Sequence, residues 1–336
     1  MIAIAFRPAV LLLLMAVVRF PPPLRAQSTS SLRAAPTEGI TVDGVLDEAA
    51  WQDAEVATDF LQFEPAEGAP ASQRTEVRVL YGPGHLFVGA HLYDTQPAQI
   101  EATLGRRDEF NRADWFIVSI DSHLDRRTAY AFGVNAAGVQ FDAMHDGGGG
   151  SGPGGGGGGG GPPDGMDASW DAIWSSDVSR TSDGWVVEIA IPYSMLRFDR
   201  ADVQRWGVQF SRHLPRAGER SEWPLVRRVD RSNQVARFGT LEGIAGIEPR
   251  RNLQISPYSL ARVESHESAT EPGRRDGSGT VDVGGDLKVG LGPNVTLDVT
   301  VNPDFGQVES DPAVLNLTAF ETVFDERRPF FVEGSN

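Results

Sequence analysis

Apolar residues along this chain come in short runs, rich in branched and aromatic side chains and closed off by Gly, Asp or Asn. "TEVRVLYG" (75–82), "HLFVGAHLYD" (85–94), "DWFIVSID" (114–121), "TAYAFGVN" (128–135) and "GVQFDA" (138–143) are runs of this kind, and each predicts a β-strand. "YGPGH" and "NAAG" between them read as hairpin turns. "SWDAIWSSDVSR" (169–180), "GWVVEIAIP" (184–192) and "WGVQFSRHL" (206–214) continue the series, and "RFGTLEGI" (237–244) is expected to close it. "LDEAAWQDA" (46–54), with acidic residues in its opening turn, predicts one short helix. Many short strands at this spacing predict an all-β fold, a sandwich or a barrel.

One segment breaks the series. "GGGGSGPGGGGGGGGPP" (147–163) has nothing to bury and maximal backbone freedom to lose, so it is expected to be a loop inserted between strands. It contains G-x-G-x-x-G without the strand before and helix after that a nucleotide site requires. From residue 252 the pattern changes. Val281, Val283, Leu287, Val289 and Leu291 share one parity, and Asp282, Asp286 and Lys288 share the other. Val295, Leu297, Val299 and Val301 alternate in the same way with Thr296, Asp298 and Thr300 after a short "GPN" turn. Such alternation fits membrane-crossing β-strands, apolar toward lipid and polar toward a lumen. It fits an ordinary amphipathic hairpin equally well.

The net charge of −16 excludes the basic footprint of a nucleic-acid partner. At the N-terminus, Arg7, the apolar run "AVLLLLMAVV" (9–18) and Ala26 after "PPPLR" read as an export signal over residues 1–26. An uncleaved membrane anchor is the rival reading of that run. Residues 27–37 read as a linker. With no cysteine, an exported chain has neither disulfides nor thiolate metal sites and depends on its core.

"ITVDGVLDEAAW" (40–51) resembles the opening of family 9-like carbohydrate-binding modules, β-sandwiches related to the DOMON group. "DWFIVSIDSHLDRRTAYAFGVNAAGVQFDA" (114–143), "SWDAIWSS" (169–176) and "DGWVVEIAIPYSMLRF" (183–198) extend the resemblance. The block 285–334 resembles the start of a bacterial family of unknown function, in which such a module precedes an outer-membrane β-barrel. The resemblance implies an antiparallel β-sandwich over 38–247 and the first strands of a transmembrane β-barrel over 252–336. It also implies a chain that continues past Asn336, export to the outer membrane with the module in the periplasm, and a glycan and membrane lipid as partners.

In sugar-binding members of the module family two tryptophans clamp the ligand. By motif they would fall at Asn111 and near Asn233, a ligand arginine at Gly133 and a ligand carboxylate at Ile117, so the family's known site is absent here. The remaining candidates for sugar contact are Trp115, which shares a strand face with Ile117, its neighbour Asn111, and Trp174 and Arg212 on strands that could border that face. Against this, tryptophan is commonly a core residue. Trp51, Trp170, Trp185 and Trp206 read as packing. Asp43, Asp47, Asp121 and Asp125 offer the oxygen ligands that calcium takes, though such residues also form turns and caps. No HExxH and no G-x-S-x-G elbow occurs, and no carboxylate pair can be nominated for glycoside hydrolysis. The readings left open are a glycan-binding envelope module, a structural domain at a barrel mouth that binds no sugar, and a protein associated with glycoside hydrolysis.

Overall fold

The computed structural model describes residues 30–145, 166–168, 170–249, 253–267, 275–292 and 295–302. The expected export signal, the Gly-rich loop and the stretch from 303 onward lie outside the described residues. The strands, in chain order, are β1 (Ser31–Arg33), β2 (Ala35–Pro36), β3 (Val56–Ala57), β4 (Leu61–Glu64), β5 (Thr75–Tyr81), β6 (His85–Tyr93), β7 (Trp115–Asp121), β8 (Ala129–Asn135) and β9 (Gln140–His145). They continue as β10 (Ser175–Thr181), β11 (Gly184–Pro192), β12 (Val203–Leu214), β13 (Glu219–Trp223), β14 (Gly239–Ala245), β15 (Leu253–Glu267), β16 (Arg275–Gly292) and β17 (Val295–Val301). One short helix, α1 (Ala49–Asp53), lies inside the predicted helical stretch.

Two sheets form the sandwich. The first runs β1-β14-β12-β7-β8-β9, with β13 added to β12 and β4 to β13; the second runs β10-β11-β6-β5-β2, with β3 on β5. Strand alternation builds the core between them. Phe116, Val118 and Ile120 of β7, Phe132 and Val134 of β8, and Trp206, Val208 and Phe210 of β12 face Val77, Val79, Val88, Leu92, Trp185, Val187 and Ile189 of the second sheet. Hydrophobic burial at about 25 cal/mol per Å² makes this layer the main source of stability.

Within the stretch read as a linker, residues 31–36 pair with the sandwich. β1 pairs in parallel with β14, and β2 pairs in parallel with β5. Leu32 and Ala34 alternate inward and are buried, a two-residue signal too short to stand out in sequence. β13 was also hidden, because "ERSEW" carries no apolar alternation. "SWDAIWSSDVSR" forms a strand only from Ser175; residues 170–174 before it have no regular secondary structure.

The opening motif packs on the outer face of the second sheet. The buried Glu188 carboxylate accepts the Asp43 and Gly44 backbone N–H groups at 2.9 and 2.8 Å and the Trp51 indole N–H at 3.1 Å. Gly44 turns with φ +80° against the Val178 backbone, where a Cβ would come within 2.8 Å. Trp51 then lies over Gly89, Leu80, Phe87 and Ala190. The motif is therefore structural here.

β15, β16 and β17 form a separate three-stranded antiparallel sheet. Its register sets Leu253 beside Val289 and Leu297, and Ile255 beside Leu287 and Val299. Paired residues share a face, so the apolar parity forms one continuous surface. It is uncovered: Ile255 is 67% exposed, Val281 73% and Val283 68%. On the opposite face Tyr258 lies across Gly284, where a Cβ would come within 2.5 Å of the ring.

A Cβ at Gly89 would meet Leu46 at 2.6 Å and the Trp51 ring at 2.9 Å. Gly89→Ala is expected to destabilise the sandwich by about 1–3 kcal/mol through overpacking, measured by denaturant unfolding.

Candidate functional site

The outer face of the first sheet is the surface on which the sequence places a ligand. It carries Trp115, Ile117 and Ser119 of β7, Ala131 and Gly133 of β8, and Phe141, Ala143 and His145 of β9. β12 adds Gln209, Ser211 and His213, and β13 adds Arg220 and Glu222. The face has an apolar end and a polar end.

The apolar end is a second small core. Trp115 is 0% exposed and packs with Ile117, Phe141, Val139 and Met166. Phe110 stacks on the Trp115 ring at 4.8 Å and meets Phe141 and His213 edge-on. The indole N–H donates to the Asn111 carbonyl at 2.9 Å. Trp115 and Asn111 are thus neighbours, as the sequence implies, but the indole is sealed under Phe110 and offers no face to a sugar. Gly133 and Ile117 are part of the same packing: a Cβ on Gly133 would touch Ile117 and Phe141 at 3.3 Å.

Trp174 and Arg212 do not border this face. Trp174 packs edge-on against Phe132 in the core between the sheets and donates its indole N–H to Asp142 at 3.0 Å. Arg212 pairs with Phe116, so alternation turns it inward. Its guanidinium donates to the Arg74 and Tyr93 carbonyls at 2.9 and 2.8 Å and to the Thr75 hydroxyl at 3.1 Å, tying the two sheets together. Both are structural residues, because the side chain of each points into the layer between the sheets.

The polar end is a hydrogen-bonded network. Gln234 Nε2 lies 3.1 Å from His145 Nδ1, and His145 Nε2 lies 3.2 Å from Ser119 Oγ. An amide stands where a nucleophilic triad has its carboxylate. Beside it, Glu222 is fully buried. It accepts from Gln209 at 3.0 Å, the Val226 N–H at 3.1 Å and Arg231 at 3.1 Å, and pairs with Arg220 at 2.9 Å. Ser211 Oγ and Gln234 Oε1 are buried here without a partner. A buried polar atom left unpaired is unfavourable by about 1–3 kcal/mol and marks a place for a water or ligand group. The predicted strand over 138–143 stops short of His145, so the sequence reading did not place it on this face. Nothing local announced Glu222, Gln234 or Arg231, which arrive from a strand and a turn with no pattern.

Three of the four aspartates nominated for calcium, Asp43, Asp121 and Asp125, accept turn N–H groups. Asp121 accepts the Asp125 and Arg126 N–H groups, and Asp125 accepts the Arg127 and Thr128 N–H groups and the Thr128 hydroxyl. These contacts shape a loop in which Leu124 and Arg126 hold positive φ. Asp43 caps its own turn through Val45 N–H, and Asp47 is exposed. A different carboxylate group, Asp108, Asp142 and Asp171, does converge. The Arg107 guanidinium already sits among them, 2.5 Å from Asp142 and 3.6 Å from Asp171, and supplies the positive charge.

At the start of β7, Asp114 is fully buried, accepts the Glu101 N–H at 2.9 Å, and has its second oxygen unpartnered. Burial pushes its pKa up to about 6, against the pull of Glu101 N–H, Arg212 and Arg216. Burial also lowers Arg212 to about 10.

A family profile described as a domain of unknown function, DUF5916, matches residues 249–336. No curated protein matches the chain. Among solved structures, a family 9 carbohydrate-binding module from Caldicellulosiruptor kristjanssonii in complex with glucose is similar at 12% identity and a TM-score of 0.44, over 66% of this chain and 97% of that one. The same organism's module in complex with cellotriose matches at 13% identity and a TM-score of 0.44, over 66% and 95% of the two chains.

Two outcomes follow from the geometry. Trp115→Ala is expected to lower stability by about 3–5 kcal/mol, because it empties the centre of the small core; a thermal melt measures it. Asp114 holds in the folded state a proton that an unfolded aspartate releases near pH 4. Its contribution is full below about pH 4 and is lost as pH rises to about 6, by on the order of 2–3 kcal/mol. Asp114→Asn is expected to flatten that part of the stability–pH curve, measured by urea unfolding at stepped pH.

Proposed function

We propose that the sandwich is a glycan-binding module of an exported protein, and that β15–β17 are the first strands of an outer-membrane β-barrel, with the module on the periplasmic side. The carrying observation is the contrast between the two parts of the chain. The sandwich closes its core, whereas the three-stranded sheet leaves a continuous apolar row open. A β-sheet that turns Leu253, Ile255, Val281, Val283, Leu297 and Val301 outward requires a cover, and lipid fits a row of this kind. Within the sandwich, the polar end of the outer face offers what a sugar needs: amide, carboxylate and guanidinium groups in fixed positions, and two buried atoms with unused hydrogen-bonding capacity.

One observation favours a second reading, a structural domain that binds no sugar. Trp115 is buried, and by the resemblance the clamp tryptophans would fall at Asn111 and near Asn233, where this sequence has no tryptophan. Glycan-array binding of the full chain in detergent decides between the two. Selective binding that Gln234→Ala weakens supports the module; an array blank at millimolar glycan leaves the structural domain.

The membrane part has its own test. Leu297→Arg is expected to impair insertion into lipid vesicles by about 2–4 kcal/mol, and Asp298→Arg, on the other parity, to have little effect. Equal insertion of the two variants would make β15–β17 an ordinary amphipathic sheet.

A further inference from the structure

A cleft of about 420 Å³ opens on the outer face of the second sheet, on the other side of the sandwich from the polar end. Strand register builds its floor. Ser175 of β10 pairs with Ala190 of β11, and Ala190 pairs with Phe87 of β6, so the three side chains stand in one row on one face. Ala190, the small member of the row, leaves the depression. The exposed His85 ring lies beside Phe87, with centroids 5.7 Å apart and the planes tilted by 36°. Ile40 and Val42, both half-buried, also line the cleft, and the exposed Glu38 and Ser175 bring a carboxylate and a hydroxyl to it. The stretch that carries Ile40 and Val42 is held at three points. Thr37 N–H donates to the Tyr81 carbonyl at 2.9 Å, Thr41 N–H to Glu48 at 3.0 Å, and Asp43 N–H to the buried Glu188 at 2.9 Å. Small-ligand sites occupy about 300–1,000 Å³, and one that is already formed loses little to ordering when it binds.

We propose that this cleft is a saccharide site separate from the polar end, and that it takes a neutral pyranose residue of a glycan. The inference rests on the glycan-binding reading above and adds to it a site and a ligand class. A pyranose has an apolar C–H face and a rim of hydroxyls. The His85 ring, Ile40 and Val42 suit the face; Glu38 and Ser175 suit the rim, the carboxylate accepting from sugar hydroxyls. Unlike Trp115, which Phe110 seals, His85 is open to solvent. Charge selects a neutral ligand. Among the described residues no arginine or lysine lines the cleft, and the chain carries a net charge of −16, so an acidic sugar meets repulsion there.

The test uses the full chain in a detergent without a sugar headgroup, with three probes: cellotriose, polygalacturonate and a glucosamine oligomer with free amines. Cellotriose is expected to bind with little dependence on salt. Ser175→Phe fills the cleft from an exposed position on the edge strand β10. It is expected to lower cellotriose affinity about tenfold, and Glu38→Gln to do likewise, with the thermal melts unchanged. Ser175→Thr, which keeps the hydroxyl and adds little volume, is expected to bind like the parent chain. Binding that ignores Ser175→Phe and Glu38→Gln but is lost in Gln234→Ala overturns the proposal and leaves the glycan reading on the polar end alone. Polygalacturonate bound more tightly than cellotriose overturns the neutral class. The glucosamine oligomer bound more tightly than cellotriose, with loss in Glu38→Gln, overturns it in favour of an ammonium site. Failure of every saccharide overturns both readings.

Discussion

β7 is buried on both faces along its whole length, and the rest of the sandwich is arranged around that constraint. A strand normally presents one face to a core and one to water. Here Phe116, Val118 and Ile120 enter the layer between the sheets, while Trp115, Ile117 and Ser119 must be covered from outside. The cover for the apolar half is Phe110, carried on an irregular stretch that Asn111 and Asn135 pin through the Thr103 carbonyl at 3.4 and 2.9 Å. The cover for the polar half is the turn that brings Gln234 to His145.

Burying a polar face makes every unmatched atom expensive, because the low local dielectric that strengthens each made bond also penalises each missing one. Most of the network is matched, and Glu222 is the clearest case: a carboxylate with zero exposure holds two guanidiniums, an amide and a backbone N–H. The unmatched atoms are therefore informative. Ser211 Oγ and Gln234 Oε1 stand at the polar end, and Asp114 Oδ1 and Arg212 Nε stand near the start of β7. The second pair lies in the scaffold where Arg212 ties the two sheets together. The first pair lies on the face that the covering elements leave polar.

The strand series was legible because branched and aromatic runs mark strands by composition. Period-two parity also assigned Trp115 and Ile117 to one face. Whether that face was open or covered was not legible. Phe110 sits in a stretch with no period, and its stacking on Trp115 depends on loop geometry that propensity does not encode. The same limit applies to Arg212. Arginine is rarely buried, so the sequence argues for a surface ligand, yet here the backbone carbonyls of Arg74 and Tyr93 satisfy it inside the sandwich. Asp121 and Asp125 were legible as oxygen donors to something. Backbone N–H groups of their own loop were the competing partners, and being already in place they won.

The three-stranded sheet inverts the logic of the sandwich. In β7 the chain supplies covers for both faces; in β15–β17 it places no described residue over the apolar row. The sheet is not poorly organised for lack of a cover. Its apolar positions stay in register across three strands, from Leu253 through Val289 to Leu297 and from Ile255 through Leu287 to Val299. On the polar face Gly284 leaves the room that the Tyr258 ring fills, and the Tyr258 hydroxyl reaches the Val301 carbonyl at 3.3 Å, so one side chain fastens all three strands. A glycine paired with an aromatic in this way restores packing that a bare backbone would lose. An open apolar row with the Tyr258 ring packed on the opposite face differs from a soluble sheet, where the apolar side is the packed one. Which face is packed, more than the hydrophobicity of any single residue, is the feature on which the proposal of a lipid cover rests.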